Sequence, residues 1–235
     1  MTVLAQILGH FTTLDLWAVV ALILGWAGVT ILIEQAPARF PSTSNLMAQY
    51  RREWMVQFVA RDPRIFDSQV VGQLRQGTSF FASATLIAIG GALALLGDVE
   101  RLIGIADALR TGNDPVVVWE VRILVIVIFL TNAFLKFVWA NRLFGYCAVV
   151  MAAVPNDARD PAALPRARKA GEINITAARG FNRGLRSLYF ALASAAWLLG
   201  PQALLVAVAV TLGVLLRREF ASESRAVLMR TDTQM

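Results

Sequence analysis

The sequence predicts an all-α, polytopic membrane protein, and three observations lead to this prediction. Of the 235 residues, 57% are hydrophobic and only 16% are charged, whereas soluble domains carry about 25% charged residues. The chain contains four long apolar stretches, near 16–33, 80–97, 116–139 and 187–216. A helix that crosses a membrane needs roughly 20 apolar residues, so each stretch is long enough. The polar segments between them are rich in arginine, which is typical of cytoplasmic loops.

The last apolar stretch decides the number of spans. Ser187 to Leu216 is interrupted once, by Gly200–Pro201. As one helix it would be roughly 45 Å long, which is too much for a hydrocarbon core of about 30 Å. Because Gly-Pro is a strong helix stop and start signal, we expect a hairpin of two helices and about five transmembrane segments. A re-entrant hairpin and a single kinked helix are the alternatives.

The distribution of basic residues predicts the orientation. Segments 34–77, 139–186 and 217–235 contain 18 of the 22 Lys and Arg residues. The positive-inside rule places these segments in the cytoplasm. We therefore expect a multi-pass protein of the inner, or cytoplasmic, membrane, with its N-terminus outside and its C-terminus in the cytoplasm.

Two short amphipathic helices are expected on the cytoplasmic side. Ser42–Thr43–Ser44 offers an N-cap for the first, near 44–61, and Asp62–Pro63 starts the second, near 63–76. Their apolar positions recur at helical spacing: Leu46, Tyr50, Trp54 and Phe58, then Phe66, Val70 and Leu74. Basic amphipathic helices beside a span usually lie in the membrane interface, and packing under the helix bundle is the alternative.

The domain prediction is a single transmembrane helical domain, 1–220, followed by a flexible cytoplasmic tail, 221–235. Within the second basic region, three prolines predict a loop: Pro155, Pro161 and Pro165. A helical pattern resumes from Gly171.

The sequence lacks the residues and motifs of most kinds of catalytic site. The chain has one histidine, His10, and one cysteine, Cys147, on opposite predicted sides of the membrane. No metal site and no cofactor are therefore expected, and no phosphate-binding or dinucleotide-binding glycine motif is present. Asp62 and Asp67 are interpreted as a helix cap and a solvated acid, and a catalytic pair of carboxylates is the alternative. The sequence has no arginine-rich tail interleaved with aromatic residues, so nucleic acid is not expected as a partner.

The candidate site is a cationic, amide-rich set near the cytoplasmic interface. We expect it to bind an anion such as a lipid phosphate between helices. Snorkelling arginines and lysines, or a proton or ion path through Lys136, are the alternatives. Asn132 lies too deep to reach water, and we expect it and Lys136 to face the fourth span around Asn182 and Arg186, with the bound anion bridging the two helices. The full set is Arg51, Arg52, Asn132, Lys136, Arg142, Asn182, Arg183 and Arg186.

These features favour a non-enzymatic scaffold or accessory subunit that binds anionic membrane lipid or a partner through its basic face. The alternative is a small-solute or ion transporter that uses the Asn132/Lys136 face, and a membrane enzyme is third. Transporters usually show broken helices near the midplane and internal repeats, which are not evident here. Small residues in the first span serve close packing, or the seam of a homo-oligomer or larger membrane complex: Ala18, Ala21, Gly25 and Gly28.

Several short runs resemble a known family. They are Asn45-x-x-x-x-Tyr50–Arg51–Arg52-x-Trp54–Met55, Ser79–Phe80–Phe81–Ala82–Ser83, Lys136–Phe137-x-Trp139, Phe144-x-Tyr146–Cys147 and Phe181–Asn182–Arg183–Gly184–Leu185–Arg186-x-x-Tyr189–Phe190. The chain is similar, over about 14–220, to an uncharacterised bacterial membrane family, number 599 among the domains of unknown function. The resemblance implies a multi-spanning helical protein of a bacterial membrane, and it carries over no activity and no site residue.

Overall fold

The computed structural model describes residues 9–99, 104 and 114–230. Seven α-helices are defined in these ranges, and no strand occurs in them, so the all-α class is confirmed. A 3-10 turn, Ala196–Leu199, precedes the sixth helix. The helices are α1 Thr13–Glu34, α2 Thr43–Val59, α3 Ile65–Leu96, α4 Val116–Ala152, α5 Ala163–Ala195, α6 Pro201–Phe220 and α7 Glu223–Leu228.

Side-chain caps explain where three of these helices begin. Before α1, the Asp15 N–H donates to Thr12 Oγ1 (3.2 Å) and the Thr12 N–H donates to Asp15 Oδ2 (3.1 Å), which is a reciprocal capping box. Ser42 caps α2 by accepting from the Asn45 N–H, and its hydroxyl donates to the Ile33 carbonyl at 2.9 Å. Ser222 caps α7 in the same way as Ser42 caps α2.

Three of the described helices, α1, α3 and α4, are long and apolar enough to cross a membrane by length and composition. Much of their apolar surface is exposed: the side chain of Ile87 is 75% exposed and that of Val149 is 70% exposed. Apolar surface on this scale is costly in water and suits a lipid environment. The chain is therefore consistent with a membrane protein, and the count of five spans stays a prediction.

The second amphipathic helix does not exist as a separate element. Residues 65–76 form the start of α3, which continues without a break to Leu96, and α3 begins two residues after Pro63. Of the three residues between the two expected parts, Gly77 weakens a helix most, by about 1 kcal/mol relative to alanine. That cost is too small to divide a helix of 32 residues.

The apolar face of α2 packs inside the protein. Leu46, Met55, Phe58 and Val59 are buried, and the backbone of Gly171 lies against Met55. This apolar face is therefore covered by protein, and the position of the 44–61 segment relative to the membrane and to the helix bundle stays a prediction.

Helices α4 and α5 are longer than the sequence pattern indicates. α4 runs past Trp139 to Ala152, and α5 begins at Ala163 rather than near Gly171. Pro165 lies in the first turn of α5, where a proline is tolerated because the first backbone N–H groups have no partner within the helix.

The start of the expected flexible tail is structured. Its short helix α7 places Arg225 over the ring of Phe40, 4.2 Å from guanidinium carbon to ring centroid, and the Arg225 Nε–H donates to the Pro41 carbonyl at 2.9 Å. The end of α6 is held as well, because Glu219 accepts from the Ser44 N–H (3.0 Å) and hydroxyl (2.9 Å).

The chain divides into two compact units. Unit 1 comprises the described residues of 1–31, 84–133 and 185–216; unit 2 comprises those of 32–83, 134–184 and 217–235. The sequence segments of unit 2 carry 18 basic and 10 acidic residues, whereas those of unit 1 carry 4 and 6.

Within unit 1 the chain reverses at Gly200. This glycine has φ 115°, a backbone conformation that residues with a side chain rarely adopt, and Pro201 starts α6 directly after it. A Cβ on Gly25 would lie 3.5 Å from both Phe190 of α5 and Val208 of α6. In one straight helix these two residues would be about 27 Å apart, so α5 and α6 form a helical hairpin, as expected.

Unit 2 has an aromatic core. The ring centroid of Phe137 lies 5.5 Å from those of Phe81 and Phe181, which are also 5.5 Å from each other. Gly184 of α5 lies directly against the Phe137 ring. A second buried cluster contains Met55, Phe58, Val71, Cys147 and Met151.

Candidate functional site

The structure divides the eight predicted site residues between the two units. Asn132 and Arg186 belong to unit 1, and the other six belong to unit 2. Arg186 is buried, which differs from a snorkelling arginine. Lys136 is half-buried, and its backbone carbonyl lies near Gly180 of α5.

In unit 1, Asn132 finds its partner on α5 as expected, at Ser187. Its Nδ2–H donates to Ser187 Oγ at 2.7 Å, and the Trp26 Nε1–H donates to the same oxygen at 3.3 Å. Ser187 is fully buried and links α1, α4 and α5. Interhelical hydrogen bonds of this kind contribute about 0.6–2 kcal/mol each. Ser187 is not among the residues predicted from the sequence. The feature that could have indicated it is a hydroxyl side chain next to Arg186, at the start of an apolar run.

Two of the predicted anion-binding arginines are already paired with carboxylates. Arg52 Nε lies 2.6 Å from Glu172 Oε1, and Arg183 binds Glu34 through two nitrogens. The hydrogen bond from Arg52 lowers the pKa of the Glu172 carboxyl from its ordinary value, and Glu172 raises the pKa of Arg52. Because these positive charges are compensated, an additional anion gains little from them.

Arg51 belongs to a buried polar network rather than to an open anion site. Its guanidinium binds the Asn174 carbonyl oxygen, and the Asn174 Nδ2–H donates to Cys147 Sγ at 3.5 Å. The Cys147 thiol in turn donates to the Ala170 carbonyl at 3.4 Å. Burial lowers the pKa of Arg51 from its ordinary value. The network joins α2, α4 and α5 within unit 2.

Arg142 and Asn182 are engaged by neutral side chains. The Arg142 Nε–H donates to the Tyr146 hydroxyl at 2.5 Å, and its guanidinium lies 5.6 Å from that ring centroid. The Asn182 Nδ2–H donates to Ser44 Oγ at 3.3 Å. The predicted site residues therefore take part in several separate contacts. Anion binding by these residues stays a prediction.

Asp67 is not a solvated acid, because its carboxylate is fully buried in unit 2. Both the Trp54 Nε1–H and the Arg61 Nη1–H donate to its Oδ1 at 2.6 Å. Burying a carboxylate is costly unless it is paired, so Arg61 and Trp54 explain why this acid is tolerated. The cluster fixes the α2–α3 turn.

The strongest candidate site is a groove in unit 2 that the sequence did not reveal. It has a volume of about 330 Å³ and lies between α2, α3, the end of α4 and the loop that follows. Its apolar wall is formed by Phe58, Val71 and Met151, and its polar lining by Arg64, Ser68, Arg75 and Asn156. No lining residue is acidic.

The two arginines of the groove differ in their contacts. Arg64 donates from Nη1 to the Val154 carbonyl at 2.9 Å and from Nη2 to the Pro155 carbonyl at 2.8 Å. Its guanidinium also stacks over Phe58, 4.6 Å from the ring centroid. Arg75 is exposed beside Gly145, and among the residues that the structure describes it has no hydrogen-bond acceptor and no carboxylate partner. Within the described ranges neither arginine has a carboxylate partner, so this groove is the part of unit 2 that best fits an anion.

Unit 1 contains a buried ion cluster that sequence reasoning also missed. Arg122 is 2% exposed and lies 2.9 Å from Asp114 and 3.7 Å from Asp15, which is 4% exposed. The Trp197 Nε1–H donates to Asp15 Oδ1 at 2.7 Å. The signal in the sequence is a lone acid at the start of α1 and an arginine directly before the apolar run 123–130 of α4. The arrangement ties these two helices to the hairpin turn.

A grouping of three or more His, Cys, Asp or Glu side chains able to hold a metal ion is not found among residues 9–99 and 114–230.

Comparison with known proteins gives a family but no activity. A family model described as "Protein of unknown function, DUF599" matches residues 17–224. The chain belongs to the DUF599 family. The DUF599 match contains Arg122 and the whole groove, while Asp15 lies just before it. No curated protein and no solved structure matches the chain.

Proposed function

We propose that this DUF599 protein is a non-enzymatic integral protein of the inner membrane, a scaffold or accessory subunit whose basic unit 2 binds anionic lipid on the cytoplasmic side. The observation that carries the proposal is the division of charge, with 18 of the 22 basic residues in the segments of unit 2. Basic segments next to a membrane are retained in the cytoplasm. They also attract anionic lipid by about 1 kcal/mol per basic residue.

The contacts within unit 2 indicate where an anion would gain most. Arg52 and Arg183 already share their charge with Glu172 and Glu34, whereas the groove holds two arginines and no acid. An anionic headgroup at the groove would therefore meet positive charge that no carboxylate among the described residues neutralises.

The proposed topology is tested with reporter fusions. A reporter fused after Met235 is expected to read as cytoplasmic, and one inserted near Gly112 as extracytoplasmic, because the basic segments are retained inside. An extracytoplasmic reading after Met235 would contradict five spans, because the stretch 187–216 would then have to cross the membrane once, as one long helix, and not as a hairpin.

Lipid binding is tested by native mass spectrometry of the protein taken from nanodiscs of mixed phosphatidylglycerol and phosphatidylcholine. Retained lipid is expected to be enriched in phosphatidylglycerol relative to the nanodisc, and the enrichment should fall at high salt because surface charges are then screened. Retained lipid that mirrors the nanodisc composition would count against lipid binding by unit 2. A protein chain that co-purifies from native membrane would identify the accessory role.

A small-solute or ion transporter is the second candidate. The Arg122–Asp15 cluster favours it, because ionisable residues inside apolar helices often mark an ion path. Asn132, which shares with Lys136 the face first considered for this role, is engaged by Ser187. Ion flux into proteoliposomes above that of protein-free liposomes, lost in Asp15→Asn, would support transport over a scaffold role.

A further inference from the structure

The groove of unit 2 combines a charged end with an apolar wall, which is the chemistry of an amphiphile rather than of a free ion. Phe58, Val71 and Met151 form the wall, and all three side chains are buried. A bound methylene group gains about 0.8 kcal/mol from leaving water, a gain that inorganic phosphate cannot make. The volume of about 330 Å³ is near the lower end for ligand sites, so it fits a headgroup and the first part of one chain.

The two arginines offer different interactions to a phosphate. The terminal nitrogens of Arg64 already donate to the carbonyls of Val59, Val154 and Pro155, so this guanidinium is fixed in place and acts by its charge. Its acceptors are neutral, and the charge is therefore kept. Arg75 has its donors free among the described residues, and a guanidinium matches two phosphate oxygens at once.

We propose that the groove binds the phosphate group of an acidic phospholipid. Arg75 donates hydrogen bonds to the phosphate, Arg64 supplies a fixed positive charge, and one acyl chain packs on the wall around Val71. The proposal rests on the proposed binding of anionic lipid by unit 2, and it assigns that binding to one site and one ligand class.

Two pairs of variants test the site on the full-length protein in the same mixed nanodiscs. Arg75→Gln removes the free guanidinium, and its matched control is Arg52→Gln, which removes an exposed arginine paired with Glu172. A hydrogen bond to a charged group contributes about 1.5–3 kcal/mol, so phosphatidylglycerol retention should weaken roughly 10- to 100-fold in Arg75→Gln. Arg52→Gln removes a charge that is already shared with Glu172, so it should weaken phosphatidylglycerol retention clearly less than Arg75→Gln does.

The second pair of variants tests the space in the groove, whereas the first pair tests its positive charge. Gly72 lines the groove, and no atom lies within 4 Å of a Cβ built on it, so Gly72→Leu places a side chain in the ligand space without a clash at Cβ. Gly77 also has open space at its Cβ and lies on the same helix outside the groove lining, so Gly77→Leu is the control. Only Gly72→Leu should lose phosphatidylglycerol, and its thermal midpoint should match that of Gly77→Leu.

The outcomes separate this proposal from lipid binding in general. A wild-type protein enriched in phosphatidylglycerol, with Arg75→Gln and Gly72→Leu equally enriched, overturns the groove and leaves lipid binding by unit 2 standing. A wild-type protein without enrichment overturns both. Inorganic phosphate that raises the thermal midpoint as much as a short-chain phosphatidic acid does would identify a free-phosphate site and overturn the lipid assignment.

Discussion

Gly184→Ala is expected to destabilise the protein by about 1–3 kcal/mol, because the added methyl group has no space. A Cβ on Gly184 would lie 2.6 Å from Cε1 and 2.8 Å from Cδ1 of Phe137. Both distances are well below van der Waals contact, so either the ring or the backbone of α5 must move.

The ring cannot move at low cost. Phe137 is fully buried, and its ring packs against those of Phe81 and Phe181. The matched control is Gly90→Ala on α3, where nothing lies within 4 Å of the new methyl group and alanine should be neutral or favourable for the helix. Thermal unfolding in detergent gives the comparison. Equal midpoints for the two variants would contradict the close α4–α5 contact.

Arg122→Gln is expected to cost about 3–5 kcal/mol, the range observed when one partner of a buried ion pair is removed. The change leaves Asp15 buried without its cationic partner and takes the guanidinium away from Asp114. Trp119 and Trp197 also lose the cation beside their rings, each 5.7 Å away.

A double variant separates loss of charge pairing from loss of packing. Asp15→Asn combined with Arg122→Gln removes both charges and should recover part of the stability lost in Arg122→Gln. The control is Arg52→Gln, whose ion pair is exposed and should contribute less than about 1 kcal/mol. The test compares the thermal midpoints of the wild type, Arg122→Gln, the double variant and Arg52→Gln. If Arg122→Gln were as stable as Arg52→Gln, the buried cluster would not hold unit 1 together.

The features that the sequence predicted well have local causes. Gly200–Pro201 stops one helix and starts the next through the backbone properties of the two residues themselves, so the hairpin could be expected from the dipeptide. A buried amide needs a partner, and for that reason Asn132 was expected to contact the fourth span. The apolar stretches and the family resemblance also depend on nearby residues only.

The features that were missed depend on residues far apart in the chain. Asp15 and Arg122 are brought together by packing between helices, which periodicity within one helix does not reveal. A basic residue with a carboxylate partner looks the same in the sequence as one without. Arg52 and Arg183 were therefore included in the site, whereas the groove arginines Arg64 and Arg75 were not. Asp67 looked solvated because its partners, Trp54 and Arg61, lie on the preceding helix and turn.

The buried position of Cys147 makes the natural chain convenient for chemical labelling. It is the only cysteine, and its thiol is enclosed by the Ala170 carbonyl, Met151 and Asn174. Thiol reagents need an accessible thiolate, so the folded protein should give almost no background reaction with a maleimide. A single cysteine placed at an exposed position such as Gln76 can therefore carry a fluorophore or spin label without first replacing Cys147. Reaction at Cys147 itself then reports opening of unit 2.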